Sequence, residues 1–226
     1  MDLDNALRTT GSVRDFTDQA VEDAVVARIL DTARFAPSGA NAQAWRVVVV
    51  KDPDKRRRLR DLYLRGWHDY LAMAVAGLRP WAPTNDRDAE ERAVRAAAGQ
   101  ATPAGPGFAE NLHTVPVLLA LFADLSLLAA VDRDADRYSF AGGASVYPFA
   151  WNLMLAARGE GLGGVITTMA IREEYQVKVL LGVPDPLALA AVIALGYPVR
   201  QPRRLNRAPV AAFTTVDSLD GPAFGR

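Results

Sequence analysis

Apolar residues recur along this chain in two rhythms, one at helical spacing and one in nearly unbroken runs. Alternation of the two predicts a single α+β domain. Leu3, Ala6 and Leu7 share a face of a short helix over residues 2–9, and Gly11 to Phe16 reads as a turn and an extended segment. Val21, Val25, Ile29 and Ala33 form the stripe of a second helix ending near Arg34, and the valines at 47–50 centre a strand over 45–51. Asp52-Pro53-Asp54 opens a helix whose basic face is Lys55, Arg56, Arg57, Arg58 and Arg60, with Leu59, Leu62 and Tyr63 behind it. An aromatic-rich helical stretch over 66–82 and an alanine, arginine and glutamate segment follow, then a Pro/Gly-rich connection over 101–107.

Val115 to Ala123 is nearly all apolar, the mark of a strand covered on both faces. Gly142 to Arg158 reads as an apolar helix stopped by Gly159 and Gly161. A short extended piece at 165–168, a helix at 172–181 and a core strand from Leu187 to Leu195 complete the body. Alternation at Ala211, Phe213 and Thr215 predicts one more strand in a C-terminal extension over 199–226. No repeat or linker separates two cores, so residues 1–226 read as one domain. The helical insertion over 66–110 either completes the core or forms a lid over a substrate.

Charge and composition narrow the chemistry. With 26 basic and 26 acidic side chains the formal net charge is zero, which argues against a nucleic-acid partner. The chain has no cysteine, so disulfides, thiolate nucleophiles and cysteine-held metals are excluded. His68 and His113 have no partner at metal-ligand spacing, which argues against a metal site or a serine–histidine hydrolase. The first residues lack a signal-peptide pattern and the longest apolar run is too short to span a bilayer. The expectation is a soluble, cytoplasmic protein without a membrane partner.

Residues 35–46 join a helix to a buried strand through Pro37, Ser38, Gly39, Asn41 and Gln43. Such a stretch is an ordinary loop, or a place where backbone and amide side chains approach a flat polar ligand. No Walker loop or Gly-x-Gly-x-x-Gly after a first strand is present. Arginines instead stand beside the helix breakers: Arg8, Arg14, and Arg203, Arg204 and Arg207 after the last strand. Their forked guanidinium groups suit phosphate.

Four motifs carry a resemblance. Ser12-Val13-Arg14-Asp15-Phe16, the loop Ala36-Pro37-Ser38-Gly39-Ala40-Asn41-Ala42-Gln43-Ala44-Trp45, the helix end Trp151-Asn152-Leu153-Met154-Leu155-Ala156-Ala157 with Gly161-Leu162-Gly163, and Ile193-Ala194-Leu195-Gly196-Tyr197-Pro198 with Arg207-Ala208-Pro209-Val210 occur in order. Together they resemble the nitroreductase-like FMN-dependent flavoproteins. The resemblance implies a three-layer sandwich, a mixed but mostly antiparallel sheet between helices, whose C-terminal strand is exchanged in a homodimer. It also implies FMN at the dimer interface, reduced by NADH or NADPH and reoxidised by a small-molecule acceptor.

By position, Ser12 and Arg14 fall in the first FMN-contacting motif, with Arg8 in the place of an arginine that relatives carry where this chain has Thr10. Arg204 and Arg207 fall at the late phosphate contact. Pro37, Ser38, Gly39, Asn41 and Gln43 fall in the loop that reaches the flavin across the interface. Thr167 and Thr168 fall at the isoalloxazine edge. Three charged contacts at roughly 1.5–3 kcal/mol each leave ring packing to complete a micromolar affinity of about 8 kcal/mol. Trp67, His68, Tyr70 and Trp81 are the lid residues expected to face an acceptor. No protein nucleophile or acid is expected, because the flavin carries the chemistry. Ping-pong reduction of a nitroaromatic or quinone is the leading activity. Flavin fragmentation, reductive dehalogenation, amide dehydrogenation and a non-catalytic flavin carrier or sensor are the alternatives.

Overall fold

The computed structural model describes residues 2–98 and 107–225. Four strands, β1 (Trp45–Val49), β2 (Val117–Asp124), β3 (Gly163–Thr167) and β4 (Leu187–Gly196), pair antiparallel in the order β1-β2-β4-β3. The apolar runs become the two central strands because both their faces are covered. Successive side chains alternate between faces. Leu119, Leu121, Ile193 and Leu195 pack on α2 (Asp23–Ala33) and α5 (Tyr147–Gly159) through Ile29, Ala33, Phe149 and Leu153. Leu118, Ala120, Phe122 and Val192 face α3 (Pro53–Val75) and α6 (Glu174–Leu181) through Leu59, Tyr63 and Val177. The result is the expected sandwich, helices on a sheet on helices. Two short or peripheral helices, α1 (Leu3–Thr9) and α4 (Arg87–Ala97), complete the set among the described residues.

Three elements differ from the pattern-based expectation. The basic helix and the first part of the aromatic stretch are one unbroken helix, α3, which carries the buried Gly66 in its interior, where a side chain would collide with the Met169 carbonyl. The insertion therefore leaves the core only after residue 75, through a turn into α4; residues 101–106 of the connection expected at 101–107 lie outside the described residues. The helix expected from Gly142 starts at Tyr147, preceded by a 3-10 segment at Ala141–Ser145; Pro148 suits a first helical turn, where an N–H has no partner to lose. Residues 211–215 are not a strand. Val210–Ala212 is a 3-10 turn, and Thr215 makes one isolated antiparallel bridge to Ala223 of the same chain. Phe213 is exposed there, so nothing buries the alternate side chains that a strand would need.

Glycines set one sheet edge. The Ser12 backbone makes a parallel bridge to Gly164, and the Val13 N–H donates to the Gly164 carbonyl at 2.8 Å. A Cβ on Gly163 would lie 2.7 Å from Val13 Cγ2, and one on Gly164 would lie 2.5 Å from Leu195 Cδ2. Only a bare backbone lets the opening turn dock on β3.

Candidate functional site

The opening turn and the tail after β4 are hydrogen-bonded to one another. Thr17 N–H donates to the Tyr197 carbonyl at 2.8 Å, and Val199 N–H donates to the Asp15 carbonyl at 3.1 Å. A Cβ on Gly11 would lie 2.8 Å from Leu205 Cδ2. Ser12 and Arg14 are thereby held beside the tail that carries Arg203, Arg204 and Arg207, and Thr167 ends the strand on which this turn docks. The long stretch between these motifs in sequence is closed by β-pairing.

These arginines form no ion pair among the described residues, a state they share with others such as Arg58, Arg79 and Arg200, so their place beside the docked turn is what sets them apart. Arg14, Arg203 and Arg204 have no carboxylate partner among the described residues, and Arg207 donates only to the neighbouring Asn206 carbonyl at 2.7 Å. Arg8 behaves differently: its Nε lies 2.8 Å from both Asp4 carboxylate oxygens on the exposed face of α1. Thr10 is buried, and its hydroxyl has no hydrogen-bond partner; the buried Gln201 Oε1 on the facing tail also has none. A bound anion with a polar chain answers both facts, since guanidinium groups pair with phosphate and buried polar atoms need partners.

Tyr63 had no signal in the sequence beyond its helical spacing. Its ring is buried under the site, edge-on to Phe108 with centroids 6.4 Å apart, and its hydroxyl accepts from Thr167 Oγ1 at 3.2 Å. Burial pushes the phenol up, while the Thr167 hydrogen bond and the Arg14 charge pull it down. The Thr167 hydroxyl and the Arg14 charge therefore both bear on the Tyr63 phenol.

The second predicted loop lies elsewhere. Ala44 accepts from the Asp124 N–H at 2.7 Å, where β2 ends, whereas Ser12 sits opposite Gly164, near where β2 begins. Pro37 to Gln43 and Ser12/Arg14 occupy diagonally opposite corners of the sheet, about 19 Å apart in strand spacing alone, four steps from β1 to the segment outside β3. The loop backbone is strained. Ala40, Asn41 and Gln43 have φ of 50°, 53° and 49°, a left-handed geometry that costs non-glycine residues energy and clusters at functional sites. Gly39 N–H donates to Ser145 Oγ at 3.0 Å, Gln43 N–H to Ser38 Oγ at 3.0 Å, and Gln43 Nε2 to Asn41 Oδ1 at 3.2 Å. Phe35 beside the loop, and Tyr147 and Trp151 one turn apart on α5, are exposed.

Of the four lid residues, Trp81 alone lines a cavity of about 780 Å³, whose walls come from α3, α4, Tyr138 and the segment from Thr168 to Arg172. Trp67 and Tyr70 stack on each other with centroids 5.2 Å apart, and Tyr70 meets Trp81 at 6.3 Å. His68 is exposed and outside that cavity. Thr168 opens into the cavity directly after Thr167, so the cavity adjoins the end of β3.

A model of the nitroreductase family matches residues 7–197. The chain belongs to the nitroreductase family. It is an oxidoreductase by that membership, and FMN is the family's cofactor. Among similar proteins, NADH dehydrogenase of Thermus thermophilus is 27% identical over 225 residues, covering 93% of both chains. The 5,6-dimethylbenzimidazole synthase of Rhodospirillum rubrum is 29% identical over 202 residues, covering 87% of this chain and 82% of its own. The solved BluB-like flavoprotein from Clostridium difficile superposes with a TM-score of 0.66 at 21% identity, covering 95% and 98% of the two chains. No described helix is long and apolar enough to cross a membrane.

Proposed function

We propose that the protein is an FMN-dependent oxidoreductase that passes electrons from NADH or NADPH to a small-molecule acceptor in a ping-pong cycle. The observation that carries this is the docking of the opening turn on β3 beside the arginine tail. It ties the turn that carries Ser12 and Arg14 to the tail segment that carries Arg203, Arg204 and Arg207, on the strand that ends in Thr167. FMN held there would supply the hydride and electron transfer between nicotinamide and acceptor, and the chain would supply its binding and orientation.

The residues supply binding, orientation and charge. The tail arginines and Ser12 hold the phosphate, with Thr10 and Gln201 offering buried polar atoms to the chain behind it. Arg14 sets a positive potential near Tyr63 and Thr167, which favours an electron-rich ring. Thr167, fixed by Tyr63, presents an oriented hydroxyl to the ring edge.

The site is completed by a second copy. The strained Pro37–Gln43 loop cannot reach its own chain's Ser12 corner, but a twofold partner can bring that loop to it and the reverse. The exposed Phe35, Tyr147 and Trp151 beside the loop supply apolar area for such a contact, and exchange of the C-terminal extension would add to it. A specialised branch, such as the flavin fragmentation suggested by the synthase relative, is the second reading; the roomy lid cavity favours it over a bare diaphorase.

Purified protein mixed with NADH or NADPH under nitrogen tests the reading. Bleaching of the yellow chromophore, restored by a quinone or nitroaromatic, is the expected result. A flavin that stays oxidised with both nicotinamides overturns NAD(P)H turnover in favour of the carrier or a specialised branch. Sedimentation at micromolar concentration tests the dimer.

A further inference from the structure

The lid cavity has a volume within the range that small-molecule ligands fill, and its polar groups can be accounted for one by one. Arg95 pairs with Glu91 at 3.0 Å. Glu90 accepts from Asn85 Nδ2 at 2.6 Å, and Arg87 donates to the Tyr138 hydroxyl at 3.1 Å. Glu173, next to the cavity, pairs with Arg65 at 3.1 Å. Asp69 and Arg172 are left. They feel one another's charge without forming an ion pair, and burial holds the Asp69 carboxyl above its ordinary range, toward the neutral acid.

Arg172 is pre-positioned. A Cβ on Gly66 would lie 3.1 Å from Arg172 Cγ and 3.3 Å from its Cβ, so the absence of a side chain on α3 seats the arginine stem. The guanidinium lies over the Trp81 ring, 5.2 Å from its centroid. Trp81 itself is held at φ 52°, a left-handed geometry that a bulky residue adopts only when its surroundings impose it. This contact sets the guanidinium against the aromatic face, and its N–H groups have no carboxylate acceptor among the described residues. Met73, Met169 and Ile171 supply apolar wall, and Thr168 connects the cavity to the end of β3.

Resting on the oxidoreductase reading above, we propose that this cavity takes a flat electron acceptor bearing an oxyanion such as a carboxylate, recognised by the N–H edge of Arg172. Trp81 supplies the aromatic face beside it, and no carboxylate among the described residues forms an ion pair with the arginine.

The test compares 4-nitrobenzoate with 4-nitrobenzamide, which share a ring and nitro group and differ in charge. Calorimetric titration of the oxidised, FMN-loaded protein without nicotinamide should show the benzoate binding about tenfold or more tighter, the order expected of a charge-assisted fork. Turnover with NADH or NADPH should show the same preference in kcat/KM. Arg172→Gln should bring both ratios near one, Arg172→Lys should keep part of them, and 0.5 M salt should shrink them in the parent. Flavin content and circular dichroism report whether the variants fold. Equal affinities in the parent, or a preference that survives Arg172→Gln, overturn the assignment. A protein whose flavin neither nicotinamide reduces defeats the NAD(P)H turnover reading instead, and the calorimetric comparison still decides the role of Arg172.

Discussion

Gly163→Ala puts the docking of the opening turn under load. The new Cβ would lie 2.7, 2.9 and 3.1 Å from Val13 Cγ2, Cβ and Cγ1, so Val13 must move by the better part of an ångström. Val13 is 3% exposed and tied to the Gly164 carbonyl at 2.8 Å, which leaves it little room. Overpacking of this kind costs about 1–3 kcal/mol, against about 0.4–1 kcal/mol gained from a stiffer unfolded chain. The glycine does not have a positive φ, so no backbone strain changes the sum. The expected net is a loss of about 1–2 kcal/mol, or roughly 2–8 °C in Tm for a chain of this size. Val13→Ala alone deletes two buried methyls and should cost about 1.5–2.5 kcal/mol. The double variant removes two of the three close contacts, so it should be about 1 kcal/mol more stable than the sum of the single effects. Urea unfolding of all four proteins at constant m measures this. Because Ser12 and Arg14 flank Val13, Gly163→Ala should also weaken FMN binding while the protein is still folded. Additive single effects together with unchanged flavin affinity would refute the docking argument.

Three further outcomes follow from the same geometry. Arg14→Ala and Arg207→Ala should each weaken FMN binding by about tenfold or more at low salt, read by calorimetry; parent-like retention in both means the phosphate lies elsewhere. Tyr63→Phe should cost at most about 1 kcal/mol, since Thr167 is only half-buried and can turn to water, but it should shift the visible spectrum or midpoint potential of the bound flavin. An unmoved spectrum and potential leave Tyr63 a core residue and nothing more. Asp132 accepts from Arg137 Nη1 at 2.8 Å, Ser139 Oγ at 2.8 Å and Phe140 N–H at 2.9 Å, and these bonds hold its carboxyl far below the usual carboxylate range. A depressed native pKa means its contribution is full above about pH 4 and is lost as pH falls toward the native value. Asp132→Asn should speed amide exchange at Phe140 and Ala141 at pH 7, with the gap from the parent closing in strong acid; equal exchange at pH 7 would show that the loop does not depend on that carboxylate.

Much of the fold could be read from periodicity because burial on two faces writes itself into a strand. Val117 to Ala123 and Leu187 to Leu195 needed no help, since both sheet faces are covered and few polar residues interrupt the runs. The tail at 211–215 misled for the opposite reason: alternation there has no sheet neighbour to reward it within one chain, and a 3-10 turn with a local bridge satisfies the backbone instead. The start of α5 misled because Gly142 and Gly143 fit an apolar helix by hydropathy while lacking the side chains that would stabilise one.

The candidate site was legible where it depends on backbone and illegible where it depends on pairing. Glycines 163 and 164, and the small residues of the Pro37–Gln43 loop, mark close approaches that composition reveals. Charge is different, because arginine is abundant in this chain and each one looks alike in a sequence. Arg8 and Arg14 are six residues apart, yet the first is matched with Asp4 and the second has no carboxylate partner. Nothing in the sequence marks Arg172, because its seat depends on the Trp81 ring and on the missing side chain at Gly66, both brought to it only by the fold. Pairing alone does not finish the sorting, because Arg58, Arg79 and Arg200 also form no ion pair among the described residues; an unpaired arginine points to an anion only where backbone docking or a cavity wall sets it beside other ligand-facing groups, as at Arg14 and Arg172.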